Sequence, residues 1–169
     1  MLKEVLKEQY GDFISCDNLI RKTLILVEKL FEGKTDKSGK PYIGHLKRVA
    51  SSFDDETYIV VSLLHDTLED TSVTEEELAS VGYSSEILEA LVLLSRKEED
   101  YNTFIDRIIN SENNLAISVK IKDMEDNMDE NRLCLLEEKE ALRLRKKYSE
   151  HYPKLINCLK ESGKKYVRH

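Results

Sequence analysis

Residues 59–71 read IVVSLLHDTLEDT, an unbroken apolar run that ends in a histidine and three acids. The run Tyr58 to Leu68 is apolar enough to be a central helix, capped by Asp54 or Asp55. On a continuous helix His65 stacks above Glu69 and Asp66 above Asp70, because residues four apart lie one turn above each other. Four ionisable groups then share two adjacent stripes of a helix whose preceding turns are Val60, Val61, Leu63 and Leu64. Unpaired acids buried there cost several kcal/mol apiece or become neutral. A divalent cation removes that cost.

One helix supplies too few ligands for a cation. His45 stands on a short helix after Pro41, and Asp123 lies in VKIKDMEDNMDEN. A His45, His65, Asp66 and Asp123 set offers two nitrogens and two oxygens and leaves room for water, which suits zinc, manganese or iron. An ion in such an open site lowers the pKa of water. Glu69 and Asp70 are then placed to orient that water or to pass protons. Against this stands a plainer alternative. His65-Asp66 is an ordinary buried hydrogen-bonded pair, Glu69 and Asp70 are a solvated helix end, and Asp123 and His45 are surface charge and a satisfied histidine. His151 and His169 are read as structural.

Helical spacing continues on both sides. Leu19, Ile20, Thr23, Val27 and Leu30 recur at three- and four-residue intervals after a cap at Asp17, and a glycine-bearing loop follows from Glu32 to Tyr42. Thr74 and Glu77 have capping-box spacing. Leu88, Leu91 and Val92 continue the pattern, then Phe104, Ile105 and Ile108. Leu115, Ile117, Val119 and Ile121 alternate as in a strand, but a single strand has no partner here, so a helix is expected. Leu133 to Tyr148 reads as a charged amphipathic helix whose RLRKKYSEHY face is solvated and whose leucines at 133, 135, 136, 142 and 144 are core. The sum is an all-α bundle of seven to nine helices in one domain spanning residues 1–169.

Composition sets outer bounds. The chain has 169 residues, with only two prolines and six glycines to interrupt helices. A net charge of -7, from 33 acidic and 26 basic residues, argues against a nucleic-acid binder, which needs a basic face. No apolar stretch is long enough for a transmembrane helix or a signal-peptide core, so a cytoplasmic location without a membrane partner is expected. Cys16, Cys134 and Cys158 are odd in number and widely spaced, and are expected to be reduced and mostly buried.

Three blocks, KSGKPYIGHLKRVA (37–50), LLHDTLEDTSVTEEEL (63–78) and VKIKDMEDNM (119–128), occur in an order that resembles the HD-domain metal-dependent phosphohydrolases. More narrowly, they resemble the (p)ppGpp hydrolase domain of RelA/SpoT-type proteins and the small stand-alone hydrolases of that group. The resemblance runs from about Lys29 to Asn131. It implies an all-α HD-domain helical bundle. His45, His65, Asp66 and Asp123 match the metal ligands, and manganese is the usual ion. Glu69 and Asp70 match the catalytic acidic pair. Lys37, Ser38 and Tyr42 fall where the nucleoside is contacted, and Asn127 matches a substrate-binding asparagine. The implied reaction is hydrolysis of the 3′-pyrophosphate of a small nucleotide, with no synthetase domain after residue 131. Two alternatives are a phosphohydrolase of another nucleotide and a non-catalytic metal-containing nucleotide-binding module. The first is motivated by departures from the family pattern. Asp36 replaces an arginine and Asp126 a histidine, Met124 and Asp129-Glu130 replace further family residues, and Phe31-Glu32-Gly33-Lys34 replaces an HxGQ segment.

Overall fold

The computed structural model describes residues 18–161. The expected cap at Asp17, together with Cys16 and His169, lies outside the described residues. Helix α1 (Leu19–Leu30) is capped by Asn18, whose side chain accepts the Arg21 N–H at 2.8 Å. Then follow α2 (Ile43–Ala50), α3 (Glu56–Leu64), a single turn α4 (Thr67–Asp70), α5 (Glu75–Ser80) and α6 (Ser85–Leu94). The series ends with α7 (Tyr101–Asn110), α8 (Asn114–Asn127), a second single turn α9 (Glu130–Leu133) and the long α10 (Glu138–Glu161). Among the described residues there is no strand, only a Thr35–Pro41 bridge that pinches the loop before α2.

Helix α3 is central, as its composition requires. Val60, Val61, Ser62, Leu63 and Leu64 are all buried, and the helix packs on α1, α2, α6 and α8. Asp55 caps it by accepting two backbone N–H groups. The Thr74–Glu77 capping box forms at the start of α5. The alternating segment is helical: α8 buries Leu115, Ala116, Ile117, Val119 and Ile121 alike, because α2, α3, α6, α7 and α10 surround it on nearly all sides. A helix enclosed in this way carries no polar stripe, so its periodicity is lost.

Four expectations are corrected. The central helix does not run from Tyr58 to Leu68: it ends at Leu64, His65 and Asp66 form a turn, and α4 restarts at Thr67. The C-terminal helix starts at Glu138 and passes through Pro153, while Leu133 belongs to α9. Leu133 and Leu144 are buried, but Leu135 and Leu142 are 51% and 55% exposed. Cys134 is exposed and Cys158 half-buried, so the expected burial of the thiols does not hold for Cys134.

Candidate functional site

The break after α3 shapes the site. A regular helix turns 100° per residue, so two consecutive side chains point in different directions. At the break, His65 and Asp66 face one point, and the Asp66 side-chain Oδ2 lies 3.1 Å from His65 Nε2. Helix α2 brings His45 Nε2 to 3.8 Å from that oxygen, and α8 brings Asp123 Oδ1 to 3.2 Å from His45 Nε2 and 3.6 Å from His65 Nε2. Two nitrogens and two oxygens thus converge from three segments. Their separations match those of neighbouring ligands around one ion with bonds of about 2.0–2.2 Å.

The atoms behind these donors point the same way. His65 Nδ1 donates to the Ser62 carbonyl at 2.7 Å, and His45 Nδ1 lies 2.6 Å from Asp126 Oδ2. With the proton on Nδ1 in both rings, both Nε2 lone pairs face the cluster, as metal-binding histidines require. His65 Nε2 is buried and makes no hydrogen bond. Without an ion, burial pushes the His65 imidazolium down, but the Asp66 and Asp123 carboxylates outweigh it and raise the group to about 10. Burial opposes ionisation of Asp66, while His65 holds it at about 2. Burial opposes ionisation of Asp123 as well, but Lys120 and both histidines outweigh it and hold the group well below the carboxylate range. Such a cluster of opposed charges accepts a divalent cation in exchange for its protons. The residues present fit a divalent metal ion.

Around the cluster lies a cavity of about 620 Å³. Glu69 and Asp70 line it from α4. Asp70 stands one turn below Asp66 as the sequence suggested, its N–H donating to the Asp66 carbonyl at 2.8 Å, whereas His65 lies before the cap of α4 and is not in one helix with Glu69. The two acids are each tethered by one oxygen. Glu69 Oε2 accepts the Arg96 backbone N–H at 2.9 Å, and Asp70 Oδ2 pairs with Lys34 Nζ at 2.7 Å. Lys37 and Ser38 line the cavity from the pinched loop. Tyr42 and Asn127 also line it, but both bond to proposed ligands: the Tyr42 hydroxyl donates to Asp66 Oδ2 at 2.5 Å, and Asn127 Nδ2 donates to Asp123 Oδ1 at 2.6 Å.

Several contributors were given no role by the sequence. Lys120, one turn before Asp123, pairs with Asp123 Oδ2 at 2.7 Å; its i,i+3 spacing was the only available signal. Helix α10 forms one wall through Arg143, Leu144, Lys147 and Tyr148, so the RLRKKYSEHY face is not simply solvated. Lys147 Nζ sits 3.9 Å from the centroid of the Tyr101 ring, and burial together with Lys120 and Arg96 lowers its ammonium to about 8.

The departures from the family pattern do not place free negative charge in the cavity. Asp36 accepts from Ser38 N–H, Ser38 Oγ and Lys40 N–H at 2.9, 2.7 and 3.0 Å, and Arg132 Nη2 reaches its other oxygen at 3.1 Å. Asp126 is held by Arg48 Nε at 2.6 Å, by His45 and by Arg132. Met124 is core, Asp129 caps α9, and Glu130 pairs with Arg145.

No family model matches the chain. A solved structure described as a metazoan orthologue of SpoT that hydrolyses ppGpp and plays a role in starvation responses superposes with a TM-score of 0.64. The match covers 86% of this chain and 96% of that one at 16% identity. The chain therefore shares the all-helical fold of that structure. The chain also has a sequence relative, a GTP pyrophosphokinase of Myxococcus xanthus, 32% identical over 159 residues. That alignment takes in 84% of this chain but 21% of the relative, so the chain spans about a fifth of the length of the curated relative it matches. No helix among the described residues is long and apolar enough to cross a membrane.

Proposed function

We propose that the chain is a metal-dependent pyrophosphohydrolase that removes the 3′-pyrophosphate from (p)ppGpp. The observation that carries this reading is the convergence of His45, His65, Asp66 and Asp123 beside the Glu69–Asp70 pair, in a cavity that Lys37, Arg96, Arg143 and Lys147 also line. The ppGpp hydrolysis of the SpoT orthologue with the same fold supports the choice of substrate. The synthetase-type name of the sequence relative belongs to a protein of which this chain matches 21%.

His45, His65, Asp66 and Asp123 would hold the ion, with manganese as the proposed occupant. A divalent ion bound there makes water more acidic and offsets charge developing on phosphoryl oxygens. Tyr42, Asn127 and Lys120 fix the two ligand carboxylates, each through a bond of 2.7 Å or less. Glu69 and Asp70 are each anchored through one oxygen, so the other oxygen of each is free to orient a water and take its proton. Lys37, Ser38 and the cationic wall from α10 bind the nucleotide and its phosphates. Neutralisation of Asp36 and Asp126 by Arg132 and Arg48 removes the electrostatic objection to a polyanionic substrate. The chain acts as one HD domain in the cytoplasm on a small nucleotide.

The test is pyrophosphate release from ppGpp with manganese present, for wild type and Asp66→Ala. Release by the wild type and its loss in the variant are expected. Bound manganese with no release by the wild type refutes the substrate.

A further inference from the structure

The substrate-side loop and helix α10 meet at one carboxylate. Lys37 Nζ lies 2.6 Å from Glu140 Oε1, and Arg143 Nη2 lies 2.7 Å from the same oxygen. Arg143 Nε reaches the second oxygen, also at 2.7 Å. The Glu140–Arg143 pair alone is an ordinary i,i+3 contact on a helix. The Lys37 contact is different: it joins residues 103 apart in sequence, one on the loop before α2 and the other on α10. Both cations line the cavity, and Glu140 is the group that now occupies them.

An ammonium and a guanidinium focused on one anionic oxygen is the arrangement that holds a phosphate. The bridge is also weakly held. Its side chains are 55%, 33% and 54% exposed for Lys37, Glu140 and Arg143, and exposed pairs contribute little. A phosphoryl group carries more charge than a carboxylate and offers more acceptor oxygens, so it competes well for the same two cations. From this geometry we infer that Lys37 and Arg143 form a subsite for an anionic phosphoryl group of the ligand, and that Glu140 is a built-in competitor which the ligand displaces. The inference rests on the hydrolase reading for the identity of the ligand, but not for the existence of the subsite. Binding would exchange a loop–helix bridge within the protein for a loop–ligand–helix bridge.

The experiment uses the full chain loaded with manganese and inorganic pyrophosphate as the probe, followed by calorimetry at fixed ionic strength. Circular dichroism confirms that each variant is folded. Glu140→Gln is expected to bind pyrophosphate about 3- to 10-fold more tightly than wild type, the gain from removing two exposed competing pairs. Glu140→Ala is expected to show a gain of the same order. Lys37→Met and Arg143→Met are expected to weaken binding, and Lys37→Met is expected to abolish the gain from Glu140→Gln. Unchanged or weaker pyrophosphate binding by both Glu140 variants overturns the inference and makes Glu140 a prop for the loop. Binding is read without turnover. A wild type that leaves ppGpp intact while Glu140→Gln gains affinity refutes the hydrolase reading alone. A wild type that hydrolyses ppGpp while Glu140→Gln gains nothing refutes the competitor alone.

Discussion

Replacing Asp126 with alanine tests whether the metal centre depends on a residue that is not itself a ligand. Asp126 Oδ2 lies 2.6 Å from His45 Nδ1, and His45 is only 3% exposed, so water cannot easily take over as acceptor. A charge-assisted hydrogen bond of this kind contributes about 1.5–3 kcal/mol, and it also fixes the tautomer that turns Nε2 toward the ion. The same substitution removes the acceptor of Arg48 Nε, at 2.6 Å, and of Arg132, leaving two guanidinium groups near a cation site with one carboxylate fewer. Both effects act in the same direction, so manganese affinity is expected to fall about 10- to 100-fold. Asp126→Asn keeps an acceptor for Nδ1 and is expected to lose less. Manganese titration followed by electron paramagnetic resonance reads the affinity directly, with circular dichroism to show that the helices persist. An Asp126→Ala protein that is folded and binds manganese within about threefold of wild type refutes the positioning role.

Three further outcomes are expected. Leu64, fully buried at the end of α3, is expected to lose about 2–5 kcal/mol on replacement by alanine, read as a lower midpoint in urea denaturation. Thr74→Ala removes the side-chain half of the α5 capping box and is expected to cost about 1 kcal/mol, lowering the thermal midpoint by about 2–4 °C in calorimetry. The Lys147 ammonium is lowered to about 8, first by burial and then by Lys120 and Arg96, below its unfolded value of about 10.4. Between these values the unfolded chain binds more protons, so Lys147 favours folding increasingly as pH rises through that window. The stability difference between wild type and Lys147→Met, followed by denaturation from pH 7 to 10, is expected to shift toward wild type with rising pH; a flat difference refutes the assignment.

The four residues proposed as ligands were legible as candidates because each sits in a block of recognisable spacing, and the structure brings them together at nitrogen–oxygen separations of 3.1–3.8 Å. The backbone that achieves this was not legible. IVVSLLHDTLED has the pattern of one helix, and no glycine or proline marks the turn at His65-Asp66. The Leu115–Ile121 segment looked like a strand because every side of it is buried, and the absence of a pairing partner pointed to helix. Asp36 read as a hostile charge because its partner, Arg132, is 96 residues away and lies in no motif. The same distance problem hid the α10 wall: Arg143 and Lys147 look like a solvated face until the helix is laid across the cavity. Pair contacts between motifs, rather than the motifs themselves, are what sequence spacing leaves out.

The joint between Leu64 and Thr67 carries two groups with different tasks. The last residues of the joint, His65 and Asp66, face the cluster, while the acids Glu69 and Asp70 follow on the next turn. The angle at this joint therefore sets how far the acidic pair stands from the ligands. Tolerance for change is low here in a particular sense. Inserting a single residue between Asp66 and Glu69, or deleting Thr67 or Leu68, would leave His65, Asp66, Glu69 and Asp70 all present and rotate the two halves out of alignment. The motif works as a hinge pin as much as a list of donors, and its length is as constrained as its composition.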